Sequence, residues 1–216
     1  MNSRKVLTGW LVPAALAMAA TAQANVVYTV NLNTAAISGA AGYDIAFSFQ
    51  DGEGIGDNNN SATLSNFNFG GGSAAGAPVL SGDATGDIAT SVTLTDSVFS
   101  SLLIEGFTPG NSLSFKLDLT TNVDAGGTPD FFGFSILSGG VSLPTLDDTG
   151  GDNLLYFNID SANPTPAAWA TARASQVALA APVVTTSGGQ LPVPDTAALL
   201  GLGLATLWVI RRRAQA

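Results

Sequence analysis

The middle of the chain is dominated by short stretches in which apolar residues alternate with polar or small ones, most clearly at 26–32, 43–49 and 113–119. In 113–119, leucine and phenylalanine occupy every second position, whereas Lys116 and Asp118 lie between them. Because successive side chains of a β-strand point to opposite faces, this period of two predicts strands with one buried and one wet face. The other predicted strands are 62–69, 88–95, 102–107, 131–138, 154–160 and 176–184. Together with the first three, they make about nine strands.

Clusters rich in Gly, Asp, Asn and Ser separate these stretches and favour turns. Frequent turns without a convincing helical pattern predict an all-β domain over residues 25–184, an antiparallel β-sandwich with jelly-roll-like connections. One short helical turn is expected at 167–174. The aromatic residues expected to fill the space between the sheets are Phe47, Phe49, Phe67, Phe69, Phe115, Phe132, Phe134 and Phe157.

The first 24 residues have the layout of a secretory signal peptide. Arg4 and Lys5 precede an apolar run from Val6 to Ala20, and the small residues of Ala22-Gln23-Ala24 close the segment. That order predicts export and a cut between Ala24 and Asn25.

The last 25 residues have the layout of a stop-transfer segment, separated from the body by a linker at 185–191. Pro192, Val193 and Pro194 are followed by the uncharged apolar run 197–210 and then by Arg211, Arg212 and Arg213. As a helix, the run would reach roughly 21 Å, which is shorter than a hydrocarbon core of about 30 Å. Such a marginal transmembrane helix suits a transient anchor that is later removed.

This C-terminal architecture resembles the PEP-CTERM sorting signal of Gram-negative bacteria. The resemblance implies processing by an exosortase-like enzyme, a transient inner-membrane intermediate, and delivery to the outer envelope surface or the extracellular matrix. Val193 departs from the family, which normally has Glu there. A plain single-pass anchor that is never cut is the alternative. The matching residues are Pro192, Pro194, Thr196, Leu199, Leu200, Gly201, Gly203, Arg211, Arg212 and Arg213.

The body also resembles a recurrent group of proteins with this tag. The resemblance covers the Tyr-x-Val-x-Leu start at 28–32 and the Gly-Phe-Thr-x-Gly-Asn-Ser-x-Ser-Phe segment at 106–115. That group has no assigned activity, so the resemblance implies where the protein is delivered but implies no biochemical activity.

Charge and composition exclude several classes of function. The chain has 16 acidic and 7 basic residues, and only Lys116 and Arg173 among the bases lie outside the two end segments. Nucleic acid is therefore not an expected partner, since neutralising phosphates needs clustered Lys or Arg. The chain has neither His nor Cys, which excludes Ser-His-Asp and Cys-His catalysis, His-ligated zinc and disulfides.

Acidic turns supply candidate calcium ligands, although Asp, Asn and Gly also form ordinary solvated turns. The best candidate is the loop 147–153, where Asp147, Asp148 and Asp152 crowd seven positions. The loops 51–60 and 124–130 are weaker candidates of the same kind. No other cofactor is expected.

Three functions remain open from the sequence. The first is a non-enzymatic surface or matrix protein associated with extracellular polysaccharide, as the resemblance implies. The second is a carbohydrate-binding module that presents Trp169, Tyr156 or Tyr43 to sugar rings. The third is a glycan hydrolase or lyase that uses carboxylates, for which Glu53 and Glu105 are the glutamates available. Glu105 follows the apolar residues 102–104, where burial would raise the pKa of its carboxyl group, but the simpler interpretation is an outward-facing acid at a strand end.

Overall fold

The computed structural model describes residues 25–123 and 127–187, and within them the chain forms two antiparallel sheets. The six-stranded sheet contains β1 (Asn25–Asn33), β3 (Ser61–Asn68), β5 (Thr85–Gly86), β6 (Ser91–Thr95), β8 (Ser112–Thr120) and β13 (Val183–Thr186). The seven-stranded sheet contains β2 (Tyr43–Gln50), β4 (Ser73–Ser81), β7 (Ser100–Thr108), β9 (Asp130–Ser138), β10 (Val141–Ser142), β11 (Leu155–Ile159) and β12 (Ala167–Ala168). Two 3₁₀ helices, Ala35–Ile37 and Arg173–Ser175, complete the described elements. The predicted all-β, antiparallel class is confirmed.

The connections pass repeatedly from one sheet to the other. The strand order is β13-β1-β8-β3-β6-β5 in the six-stranded sheet and β12-β11-β9-β2-β7-β4 in the seven-stranded sheet, with β10 paired to the end of β9. The pairs β1–β8, β2–β7 and β3–β6 are nested, as when a long hairpin is rolled up. This nesting resembles the connectivity of a jelly roll.

The core lies between the two sheets and is rich in aromatic rings. Phe115 on β8 packs edge-on against Phe47 on β2, with ring centroids 5.3 Å apart, and against Phe134 on β9 at 5.4 Å. Tyr28 on β1 contacts Phe157 on β11 at 4.6 Å. All eight aromatic residues predicted for the core are buried in it or packed against it. Lys116 and Asp118 lie on the opposite face of β8, as predicted.

Three segments differ from the sequence prediction. Residues 73–81 form β4, an edge strand that pairs only with β7, whereas the glycine-rich segment 70–76 predicts a turn. The predicted strand 176–184 is reduced to its end, since Gln176 takes a left-handed conformation and β13 begins only at Val183. The helical turn expected at 167–174 is instead β12 followed by the start of a 3₁₀ helix.

The two end segments lie outside the described residues. This applies to the predicted signal peptide 1–24, to most of the predicted linker and to the predicted sorting signal with its helix at 197–210. Within the described part of the chain, no helix combines the length and the apolar character needed to cross a bilayer.

Candidate functional site

The loop 147–153 folds back over the outer face of the seven-stranded sheet. It connects the hairpin of β9 and β10 to β11. Ser135, on the outer side of β9, donates its hydroxyl to the Asp152 carbonyl at 3.2 Å. The loop is thereby held against the sheet, beside the outward-facing side chains of β11.

Asp147 is the residue that organises this loop. Its carboxylate accepts hydrogen bonds from the backbone N–H and hydroxyl of Thr149, at 2.9 and 2.8 Å. It also accepts from the backbone N–H and the side-chain amide of Asn153, at 3.1 and 2.9 Å. Burial alone would raise the pKa of Asp147, but these hydrogen bonds outweigh burial and lower it.

The other two candidate calcium ligands of the loop have separate partners. Asp148 is exposed and accepts a hydrogen bond from the Tyr156 hydroxyl at 3.2 Å, whereas Asp152 accepts one from the Thr145 N–H at 3.0 Å. Across the described residues, no group of three or more acidic side chains is placed to hold a metal ion. Calcium binding by Asp147, Asp148 and Asp152 therefore stays a prediction.

Replacing Asp147 with Asn is expected to destabilise the protein by about 1–3 kcal/mol at neutral pH, because buried N–H donors lose a carboxylate acceptor. The folded-state pKa of Asp147 lies below its unfolded value, so its contribution is present above about pH 4 and is lost as the pH falls further. Acid-unfolding curves should therefore be less steep for Asp147→Asn than for the wild type. The exposed Asp160→Asn is the control, and identical curves for all three proteins would contradict this role of Asp147.

Beside the loop, three strands place aromatic and polar side chains together on the outer face. In register, Gly133 on β9 lies between Tyr156 on β11 and Ser48 on β2, and Phe131 lies between Asn158 and Gln50. The rings of Tyr156 and Phe131 stack, with centroids 5.5 Å apart and planes inclined by 28°. We call the surface formed by Ser48, Gln50, Phe131, Gly133, Tyr156 and Asn158 the aromatic face.

Gly133 lets the Phe131 ring lie across the sheet. A Cβ atom at this position would come within 2.8 Å of Ser48 Oγ and Asn153 Oδ1, and within 2.9 Å of Phe131 Cε1. Any other residue would displace the ring or the two polar groups. The glycine thus keeps a half-buried ring and two polar oxygens close together.

The Tyr156 hydroxyl is held as a hydrogen-bond donor. Burial is the main factor that raises its pKa, and the hydrogen bond to Asp148 and the charges of Asp148 and Asp147 add to the effect. The phenol is therefore neutral at physiological pH and its ring is fixed in orientation. Half-exposed rings with amides and hydroxyls beside them can stack on the C–H face of a sugar while binding its hydroxyl groups.

The other two aromatic candidates lie elsewhere. Tyr43 faces the interior side of β2 and packs against the core. Trp169 follows β12 and is half-buried, and its ring N–H is buried without a hydrogen-bond partner among the described residues. Phe131 was not among the predicted sugar-contacting residues, although the alternation that buries Phe132 already places Phe131 on the outer face.

Glu105 does not face solvent. It points between the sheets and is 3% exposed, and its Oε2 atom accepts the Ile88 N–H at 2.8 Å. Burial raises its pKa, with a further contribution from the charge of Asp87. The interpretation of Glu105 as an outward-facing acid was therefore wrong.

Glu53 and Glu105 do not form a hydrolytic pair. Glu105 is in register with Ile45, whereas Glu53 lies in the loop after Gln50, roughly 17 Å or more along β2. The carboxylates of glycoside hydrolases are separated by about 5 to 10 Å.

Comparison of the chain with protein-family models, curated proteins and solved structures returns no match. The residues of the sorting signal, Pro192, Val193, Pro194 and Arg211 to Arg213, lie outside the described residues, as does Ala24 of the predicted cut. Asn25, the other side of that cut, is the first residue of β1.

Proposed function

We propose that the protein is an exported, non-enzymatic component of the cell envelope that binds extracellular polysaccharide through the aromatic face. The observation that carries this proposal is the stacked pair of Tyr156 and Phe131, held half-exposed on the adjacent strands β11 and β9. A rigid pair of rings presents apolar area at small entropic cost, and the neighbouring amides supply hydrogen bonds.

The charge of the described surface favours a neutral glycan. Lys116 and Arg173 are the only bases in the described ranges, and Asp148 lies at the rim of the aromatic face. The acidic body would repel an anionic polymer, whereas a neutral polymer would meet no electrostatic repulsion as it approaches. We therefore expect neutral polysaccharide to bind more tightly than its sulfated or uronic counterpart.

Delivery to the polysaccharide rests on the two ends of the sequence. The signal peptide would bring the chain across the inner membrane, and the segment 192–216 would hold it there until an exosortase-like enzyme releases it. In the structure, β13 pairs with β1, and Ser187 donates its N–H to the Val27 carbonyl at 2.7 Å. The last described residues thus run beside the start of β1, and the proposed tether would begin at this edge of the six-stranded sheet.

The test is titration of the purified protein with a soluble neutral polysaccharide, monitored by calorimetry. Tyr156→Ala is expected to weaken binding about tenfold or more, because it removes one of the two stacked rings together with its hydroxyl group. Phe99→Ala is the matched control, since Phe99 is 62% exposed and precedes β7, a strand that contributes no residue to the aromatic face. Equal affinities in all three proteins, or no binding by the wild type, would contradict the proposal.

A further inference from the structure

Four acidic side chains lie near one another at one end of the sandwich. Asp51 follows β2, Asp57 lies in the same loop, Asp96 follows β6 and Asp130 begins β9. We call these four residues the acid cluster. Asp96 belongs to the six-stranded sheet and Asp130 to the seven-stranded sheet, so the cluster spans the gap between the sheets.

Neutral donors hold three of the four carboxylate oxygens of Asp96 and Asp130. Asn60 donates its backbone N–H to Asp96 Oδ2 and its side-chain amide to Asp130 Oδ2, both at 2.8 Å. Asp130 Oδ1 accepts the Gly52 N–H at 2.8 Å. The remaining oxygen, Asp96 Oδ1, is buried without a hydrogen-bond partner among the described residues, and Asp96 itself is 0% exposed.

Within the described ranges, no basic side chain offsets the charge around Asp96. Burial is the main factor that raises the pKa of Asp96 to about 7, and the Asn60 N–H opposes the shift. A side-chain hydrogen bond with Asp130 and the charges of Asp130 and Asp57 raise it further. Asp51 adds a further carboxylate, whose pKa is lowered because hydrogen bonds from 53–56 outweigh its burial. A buried carboxyl pair without a base needs either a shared proton or a bound cation.

We propose that Asp96 and Asp130 together bind one divalent cation, and that Ca²⁺ is the ion that fits. A single proton would neutralise one of four carboxyl groups, whereas a dication would offset two. Both proposed ligands are carboxylates, and calcium prefers oxygen ligands. Asn60 Oδ1 accepts one hydrogen bond, from the Asn122 N–H at 2.8 Å, and keeps a second lone pair.

The site contains two carboxylates rather than three, in keeping with the absence of any three-acid metal group in the described ranges. Amide oxygens, backbone carbonyls and water would complete the shell. A bound ion would join the end of β6 to the start of β9 and so link the two sheets, in a chain that has no cysteine for a disulfide.

The experiment is calorimetric titration of chelator-treated, purified protein with Ca²⁺, together with thermal melts. We expect one Ca²⁺ per chain, and a rise in Tm of about 5 °C or more at a hundredfold excess over Kd. Asp96→Asn should abolish both effects and should melt in chelator at or above the wild-type temperature, because it keeps an acceptor for Asn60 and removes one charge. Asp130→Asn should also abolish calcium binding. This variant tests the proposed calcium site if Asp96→Asn does not fold.

Asp152→Asn is the matched control, because its carboxylate belongs to the separate loop 147–153. Calcium binding that persists in Asp96→Asn or in Asp130→Asn would overturn the proposal, and its loss in Asp152→Asn would then assign the ion to the loop 147–153. It would also be overturned if the wild type showed no calcium response and instead became more stable as the pH falls from 8 to 6. A raised pKa predicts that pH trend for an acid that takes up a proton on folding, so this result would assign the pair to a shared proton.

Discussion

Replacing Phe47 with alanine is expected to lower the free energy of unfolding by about 3–5 kcal/mol. Phe47 is 0% exposed and its ring contacts the rings of Phe67, Phe115, Phe132 and Phe134, at centroid distances of 6.0, 5.3, 6.2 and 5.4 Å. Removing it loses buried apolar area and leaves a cavity that side chains fixed to two sheets cannot close. Since a domain is stable by only about 5–15 kcal/mol, the variant should be close to unfolding at 37 °C.

Chemical denaturation monitored by circular dichroism measures this effect. The control is Phe99→Ala, which removes the same ring from a position that is 62% exposed and should change the free energy of unfolding by less than about 0.5 kcal/mol. A loss of less than about 1 kcal/mol in Phe47→Ala would mean that the two sheets do not pack through this ring.

Deletion of Arg211 to Arg213 is expected to leave unprocessed or mislocalised precursor in the native host. In the proposed topology, the three guanidinium groups would hold the C-terminus on the cytoplasmic side, because moving them through the hydrocarbon core is far more costly than leaving them. That orientation places Pro192 and Pro194 at the outer face of the inner membrane, where a processing enzyme can reach the backbone. Without the arginines, nothing would fix the orientation of the apolar run in the membrane. The segment around Pro192 and Pro194 would then not be held where a processing enzyme can reach it.

Immunoblots of inner-membrane, outer-membrane and medium fractions measure this effect. Val193→Glu is the matched variant, since it restores the residue that the sorting family normally has and should preserve or improve processing. Unchanged size and location of the protein after the arginine deletion would contradict a role of these residues in sorting.

The sequence predicts the fold class well because the alternation that indicates a strand is a property of a few consecutive residues. Alternation of apolar and polar residues requires only that one face of each strand be buried, and 43–49 and 113–119 follow this rule. β4 escapes prediction because it is an exposed edge strand, where backbone pairing with β7 suffices and the side chains need not be apolar. Segment 176–184 misleads because its Val and Ala residues suit a strand, whereas the left-handed Gln176 turns the chain.

The candidate sites depend on packing between distant segments, which a single sequence does not encode visibly. Tyr156 was predicted as a sugar-contacting residue, but its partner Phe131 is set by the register of β9 with β11. The inward orientation of Glu105 follows from the face that Leu103 and Phe107 share with it on β7. Asp96 lies in no acidic run, and only the meeting of the two sheets places it beside Asp130.

The most direct test of the proposed function is the intact mass of the protein recovered from the washed extracellular polysaccharide of the native host. If the protein is exported, released from the membrane and retained by glycan, it should be present in that fraction. Its mass should correspond to a chain that begins at Asn25 and lacks the apolar run 197–210 and the arginines after it, with any attached glycan visible as added mass. Recovery only from the inner membrane, with a mass that includes Trp208 and extends to Ala216, would contradict the proposal and would identify a plain single-pass membrane protein.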